Sequence, residues 1–310
     1  MSWFLKSRTY SIGVDMGDDT LKLVQLGNNG KGIGLVAGGS KNRPADVEPG
    51  SAGWQRWAIE AICELTANGK FRGRDVTAAI SAREVFIDHI KMPKIKDGEP
   101  QDALLSEIKQ KLPFEPDNAM IKYIPTEEDN VLVIATEREK IDRHLAIYER
   151  ANLQIKSIAV WPAALTNTYI RFFGRRKADI ETVVMLACME ANCTSVVICR
   201  HKNLLLARSI PIGARQLDDK KTVTRLILEL TACRQRFSSM YRKAQIERLV
   251  FLSGLSVDKD IYATIAKQLE MPTQIGDCLA AVEMTNFYDS GVDRRGCQVN
   301  WATAFGLSLS

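Results

Sequence analysis

Ser11-Ile12-Gly13-Val14-Asp15-Met16-Gly17-Asp18-Asp19-Thr20-Leu21-Lys22-Leu23-Val24-Gln25-Leu26 is the stretch from which the fold of this 310-residue chain is read. An apolar run ends in an acidic residue and a glycine, turns within a few residues, and returns as a second alternating run. That is the pattern of a β-hairpin. Backbone N–H groups gather at such a turn, and a glycine there lets a phosphate approach the main chain. An aspartate at the strand end is suited to holding a metal ion or its water shell. Asp-x-Gly also occurs at the ends of ordinary hairpins, so a bulged hairpin without a ligand stands beside the phosphate-loop reading.

Outward from the hairpin, the Gly-rich polar stretch from Gly27 to Gly53 predicts turns, an edge strand and a loop. Trp54, Trp57, Ala58, Ala61, Ile62 and Leu65 recur at three- and four-residue intervals, the stripe of an amphipathic helix. Asn68-Gly69 stops it, and Val76 to Ile80 reads as a buried strand. The style changes near Ala82. Strands at Val85–Ile90, Ala119–Ile124 and Val131–Thr136 alternate with helices at Asp102–Leu112 and Glu139–Ala151. This order predicts a small sheet covered by helices on one face, inserted into the larger unit. Ile158 to Phe173 gives the start of a strand and a helix, and Arg175 to Asp179 a charged break that reads as a hinge.

Beyond the break the opening theme returns. Thr182–Ala187, Ser195–Cys199 and Leu204–Arg208 are strands, and a long helix from Thr222 to Tyr241 buries Leu226, Leu230, Cys233 and Phe237. Leu249–Gly254 is a strand ending in glycine, Asp258–Leu269 a helix, and Ala302–Leu307 lies in the last helix. Two hairpin-first halves separated by a hinge are the trace that a duplicated α/β domain leaves in sequence.

Composition narrows the function classes. The chain is 45% hydrophobic and 25% charged, as ordinary globular proteins are. No apolar run approaches the ~20 residues that span a bilayer. Met1 to Lys6 is too short for a signal peptide, so a cytoplasmic location is expected. Seven scattered cysteines argue for reduced thiols, and the spacing of Cys188, Cys193 and Cys199 fits no zinc pattern. The net charge of +5 is modest. Arg171, Arg175, Arg176 and Lys177, and Arg234, Arg236, Arg242 and Lys243 along a helix, read as solvated faces. Without interleaved aromatics they do not suggest a nucleic-acid surface.

Hairpin, third strand and helix, twice over, resemble the actin-like ATPases, an α/β, ribonuclease H-like duplicated fold with a nucleotide cleft between two lobes. The blocks Ile12–Leu26, Lys111-Leu112-Pro113-Phe114, Val131–Ala135, Ser209-Ile210-Pro211-Ile212-Gly213, Leu252-Ser253-Gly254 and Trp301–Leu307 resemble the PilM family of type IV pilus assembly proteins over nearly the whole chain. The likeness implies a subdomain IA at 1–81 with 158–175 and an inserted subdomain IC at 82–157, of the kind shared with FtsA. It implies a second lobe IIA at 176–310 with a small IIB around 216–247. FtsA itself would carry a C-terminal membrane helix, and the L-type secretion proteins a membrane span; neither is expected here.

The resemblance also implies a partner. PilM-like proteins bind the cytoplasmic tail of the inner-membrane protein PilN as an extended peptide in a groove between the first and inserted subdomains. Main-chain hydrogen bonds and a few apolar anchors suit a tail that is disordered when free. Membrane association would come through that partner, with other pilus assembly components as further contacts. Pilus and pilus-like secretion systems both remain open. Trp3, Phe4 and Leu5 could pack on the body, cover a groove or touch the membrane.

By resemblance the nucleotide site would use Asp15, as the Mg²⁺-side carboxylate, with Gly17, Thr20, Lys22, Thr194 and Gly254. Departures from the family pattern bear on it. Asp18 and Asp19 stand where small hydroxyl residues are usual, and Glu190 where the second loop has glycine. At an effective dielectric of about 20, a like-charge contact at ~4 Å costs on the order of 4 kcal/mol. Screened to ~2.8 kcal/mol, it is still about a hundredfold in affinity. The expectation is therefore a degenerate nucleotide site on a non-enzymatic scaffold, with no catalytic residue and no cofactor required. An ATP-binding, switchable member, or more distantly a small-molecule kinase of this fold, are the alternatives.

Overall fold

The computed structural model describes residues 8–28, 30, 32–93, 100–253, 257–282, 292 and 299–310. Trp3, Phe4, Leu5 and Gly254 lie outside the described residues. Three strands open the chain, β1 (Arg8–Met16), β2 (Thr20–Asn28) and β3 (Ile33–Asn42), followed by α1 (Ala52–Asn68) and β4 (Asp75–Ile80). A second unit follows with β5 (Phe86–Lys91), α2 (Pro100–Lys111), β6 (Ala119–Pro125), β7 (Asn130–Glu137) and α3 (Arg138–Arg150). The chain then returns through β8 (Gln154–Val160) and α4 (Trp161–Thr168). The second half contains β9 (Val183–Met189), β10 (Thr194–Arg200), β11 (Asn203–Ile210), α5 (Lys220–Met240) and β12 (Arg248–Phe251). It ends with α6 (Lys259–Leu269), β13 (Thr273–Ile275), α7 (Cys278–Ala281) and α8 (Ala302–Ser308).

The duplication is explicit in the pairing. One five-stranded sheet has the order β3-β2-β1-β4-β8 and the other β11-β10-β9-β12-β13. In each, two antiparallel strand pairs come first, and two parallel strands are added on the far side of the opening strand. β5, β7 and β6 form a separate antiparallel sheet.

Three apolar layers explain why this arrangement holds. Ile12, Val14, Trp54, Ala58, Ile62 and Val76 fill the outer face of the first sheet. Met185, Val196, Leu226, Leu230 and Phe237 do the same for the second. Between them, Val24 and Leu26 of one lobe meet Val184, Leu186 and Val250 of the other, together with Leu132 and Ile134 of the inserted sheet and Phe305 of α8. The lobes therefore share a central core.

α8 is buried along its whole length, and its close approach to α4 requires Gly306, where a Cβ would lie 1.8 Å from the Ala164 carbonyl oxygen. Its Ser308 hydroxyl donates to Ser11 O at 2.8 Å and accepts from Leu26 N at 3.0 Å. These bonds satisfy backbone groups where the β1–β2 register shifts between Thr9 and Ile12.

The boundary at 157 falls inside β8, because its leading residues Gln154-Ile155-Lys156-Ser157 are largely polar and exposed and hide the strand's start. Residues 216–247 hold one long helix, α5, whose buried face belongs to the second lobe's own core. Arg242 and Lys243 lie beyond the end of α5, not along it. The Arg175–Asp179 break contains a short 3₁₀ turn in which Asp179 is buried and bonded to Arg248 at 2.7 Å. Arg171, Arg175, Arg176 and Lys177 are exposed.

Candidate functional site

The two lobes face each other across their first turns. The β1–β2 turn, Gly17-Asp18-Asp19, and the β9–β10 turn, Glu190-Ala191-Asn192-Cys193, line a cavity of about 70 Å³ together with Asp15, Thr20, Ser81, Trp161 and Thr303. That volume has room for a few waters. It is well below the roughly 300–1,000 Å³ of pockets that hold cofactor-sized ligands.

Lys22 dominates the site. It stands on β2 opposite Asp15 of β1, and its side chain is only 2% exposed. Its Nζ donates to Asp15 Oδ2 and to both carboxylate oxygens of Glu190, each at 2.9 Å. An ammonium has three N–H bonds, so all of its donors are committed within the protein. Burial alone would lower the Lys22 pKa, but the charges of Asp15 and Glu190 outweigh it and raise it above the ordinary lysine range. Burial pushes the Glu190 carboxyl up to about 7; Lys22 opposes the shift and Asp15 adds to it. Glu190 keeps 29% of its side chain exposed, so water limits that push.

The other carboxylates are also paired. Asp18 accepts from Ser81 Oγ at 2.8 Å and from Arg83 at 2.5 Å. Burial raises its pKa, with Ser81 and Arg83 pulling the other way. Asp19 meets Arg43 at 3.3 Å, Arg215 at 3.7 Å and the side chain of Asn192 across the cleft. Lys22, Arg43, Arg83 and Arg215 bring four cations to Asp15, Asp18, Asp19 and Glu190. The arginines are remote in sequence, and no local signal in the hairpin announced them.

Of the residues named from sequence, Asp15, Gly17 and Thr20 come together at the cavity, and Lys22 ties Asp15 to Glu190. The Thr20 hydroxyl donates to Asn42 Oδ1 at 3.1 Å. Thr194 is fully buried, and its hydroxyl donates to Ile212 O at 2.7 Å. Gly254 lies outside the described residues. Lys22 and the two threonine hydroxyls thus all have partners within the protein. Among the described residues, no group of three or more His, Cys, Asp and Glu is placed to hold a metal ion. Burial raises the thiol of Cys188 and takes that of Cys193 up to about 12, so neither is a ready nucleophile.

The sequence matches the family model of the type IV pilus assembly protein PilM over residues 13–226. The chain belongs to the PilM family. Its structure is similar to one described as the PilM-PilN type IV pilus biogenesis complex, at 21% identity, over 97% of this chain and 98% of that one, with a TM-score of 0.72. It is also similar to a Bacteroides thetaiotaomicron protein of actin-like ATPase fold and unknown function, at 12% identity, 91% and 96% coverage and a TM-score of 0.51. A third likeness is to the cytoplasmic domain of EpsL, an inner membrane component of the type II secretion system of Vibrio cholerae, at 9% identity, 97% and 95% coverage and a TM-score of 0.54. At these identities the structural likenesses speak for the fold, which is actin-like. No curated protein matches the sequence. Among the described residues, no helix is long and apolar enough to cross a membrane.

Proposed function

We propose that this PilM-family chain is a scaffold of type IV pilus assembly, or of a pilus-like secretion apparatus, whose cleft does not serve Mg-ATP. Its partner on this reading is a PilN-like inner-membrane protein. The cytoplasmic tail of that protein would dock as an extended peptide between the first lobe and the inserted sheet, and would hold the chain at the cytoplasmic face of the inner membrane. The family match and the likeness to a PilM-PilN complex support the partner.

One observation carries the reading of the cleft: the three N–H bonds of Lys22 all go to Asp15 and Glu190. A phosphate arriving there would have to displace two carboxylates from a buried ammonium and then lie beside them. Two carboxylates next to a phosphate repel it by several kcal/mol at short range, and only a bridging cation would offset that. The co-location of Asp15, Gly17 and Thr20 at the cavity keeps an ATP-binding, switchable form as the second reading.

Calorimetric titration of the purified chain with Mg-ATP, with ADP as control, decides between them. The expected result is no heat up to millimolar ATP from a protein that still unfolds cooperatively. Micromolar binding would establish the second reading, and ATP at a hundred times its dissociation constant would then stabilise the fold by about 2.7 kcal/mol. The partner is tested separately, by retention of a PilN-like cytoplasmic tail on the immobilised chain; failure of every such tail to bind would remove that part of the proposal.

A further inference from the structure

We infer that this chain holds its two lobes together with its own side chains at both ends of the second sheet, so that the closed arrangement requires no nucleotide. The inference rests on the reading that the cleft does not serve Mg-ATP. The first tie is at the cleft. Lys22 of the first lobe holds Glu190 of the second, and Asp19 of the first lobe bonds Asn192 of the second. Glu190 and Asn192 sit where β9 turns into β10.

The second tie is at the other end of the same strands. Here the β6–β7 hairpin of the inserted sheet reaches the second lobe. Glu127 meets Arg200 at the end of β10, with both carboxylate oxygens 2.8 Å from Nη1. Thr126 Oγ1 lies 2.7 Å from Tyr241 Oη, which donates to Leu205 O at 2.8 Å. Asn130 Nδ2 donates to Met240 O at 3.2 Å, at the end of α5. The Glu128 carboxylate accepts from the backbone N–H groups of Arg242 and Lys243 at 3.2 and 3.1 Å.

The shape of this hairpin tip argues that the contact is built in. Glu128 and Asp129 both have φ in the left-handed region, at 55° and 58°. Glycine or asparagine would adopt that backbone more readily. A glutamate there bears a conformational cost, and what it gains is the pair of backbone N–H partners in the second lobe. Beside the tip, the edge of β5 meets the edge of β11. Ala207 N donates to His89 Nε2 at 3.1 Å, and Asp88 pairs with Arg236 at 3.2 Å.

Geometry gives the two ties their joint effect. Beside the shared central core, a tie at one end alone leaves the other end of the sheet free to pivot about that core. β10 is seven residues long, and a strand rises about 3.3 Å per residue, so the two ties are separated by roughly 20 Å. Fixing both ends of one sheet blocks the rotation that opens a two-lobed cleft. At the cleft, Lys22 and Glu190 themselves form the bridge. The inserted sheet is then the rigid strut between the lobes, and a peptide docking beside it meets a preformed surface.

Hydrogen exchange followed by mass spectrometry on the full chain tests the ties, using Glu190→Ala at the cleft and Glu128→Gly at the tip. Glycine suits the left-handed backbone, so the second change removes the carboxylate without adding strain. Glu190→Ala is expected to speed exchange at least tenfold in 17–19 and 190–193 together, with 241–244 unchanged. Glu128→Gly is expected to do the same in 241–244 with the cleft turns unchanged. The double variant, while still unfolding cooperatively, is expected to show a larger radius of gyration by small-angle scattering. Unchanged exchange in both single variants and a double variant of wild-type dimensions would overturn the inference. If Mg-ATP slows wild-type exchange at the cleft turns tenfold, the reading of the nucleotide site fails instead, and the variants still decide whether the ties hold.

Discussion

The first turn of the first lobe and the first turn of the second occupy equivalent places in two sheets of the same strand order, and they are secured by different means. Gly17-Asp18-Asp19 is held by charge, through Arg43 and Arg83 from outside the hairpin and Arg215 from the other lobe. Within its own lobe, Glu190–Cys193 is held by packing and backbone. Ala214 N donates to Glu190 O at 2.8 Å and Arg215 N to Ala191 O at 3.0 Å. A Cβ on Gly213 would lie 2.4 to 2.5 Å from Cys193 N, Ala191 O and Asn192 N. One topological position can thus be fixed electrostatically or sterically. The bridge between the two is the buried ammonium of Lys22, which belongs to the hairpin of one lobe and is neutralised partly by the other.

Removing that bridge tests the comparison most severely. Lys22→Met leaves Asp15 and Glu190 facing each other without a cation. Loss of one member of a buried ion cluster costs about 3–5 kcal/mol because the remaining charge is uncompensated. Urea denaturation should show a loss of that size. A loss under about 1 kcal/mol would mean that Lys22 does not link the two turns. Gly213→Ala is the complementary change on the steric side. Its φ of −132° suits any residue, so the cost comes only from pushing the 191–193 backbone away, about 1–3 kcal/mol by overpacking. An unchanged denaturation midpoint would show that the second turn yields as easily as the first.

The difference between the turns also explains what could be read from sequence. The hairpins, the repeat and the inserted sheet declare themselves through local apolar periodicity, which is why Ile12 to Leu26 and Thr182 to Cys199 are legible on their own. Asp15, Gly17, Thr20 and Lys22 are close in sequence, and the hairpin register brings them together as expected. The partners of the carboxylates are not legible, because Arg43, Arg83 and Arg215 reach the site from separate loops and lie 24, 65 and 196 residues from Asp18 or Asp19. The partner of Thr194 is not legible either: its hydroxyl, at the start of β10, donates to Ile212 O, eighteen residues away. Nothing in the local pattern of Thr126 to Asn130 shows that this hairpin tip will meet the second lobe.

A pH series sharpens the comparison on the side of the second turn. The Glu190 carboxyl is raised in the folded chain, from an ordinary 4.5 to about 7, chiefly by burial. A group whose folded pKa lies above its unfolded value binds its proton more tightly when folded. Its contribution to stability is therefore complete below about pH 4.5 and is lost as pH rises through about 7. Between pH 5.5 and 8 the wild type should lose stability relative to Glu190→Gln, by on the order of 1 kcal/mol given the partly exposed side chain. Parallel denaturation midpoints for the two proteins across that range would place Glu190 in an ordinary solvated environment.

Arg83→Ala probes the first turn and should have the smallest effect. Arg83 is 59% exposed although its Nε lies 2.5 Å from Asp18 Oδ2. Exposed ion pairs contribute about 0–1 kcal/mol because water and salt screen them and the long side chain must be ordered. Asp18 also keeps its bond from Ser81 Oγ when the guanidinium is gone. The expected fall in thermal midpoint is therefore at most about 2–4 °C, and it should shrink further in high salt. Its sign is fixed by charge: Asp18, already raised by burial, rises further without Arg83, so more of the loss appears at neutral pH than at pH 4. A larger, salt-independent loss would mean that Arg83 supports the turn through the packing of its stem, and that the first turn is fixed sterically after all, as the second is.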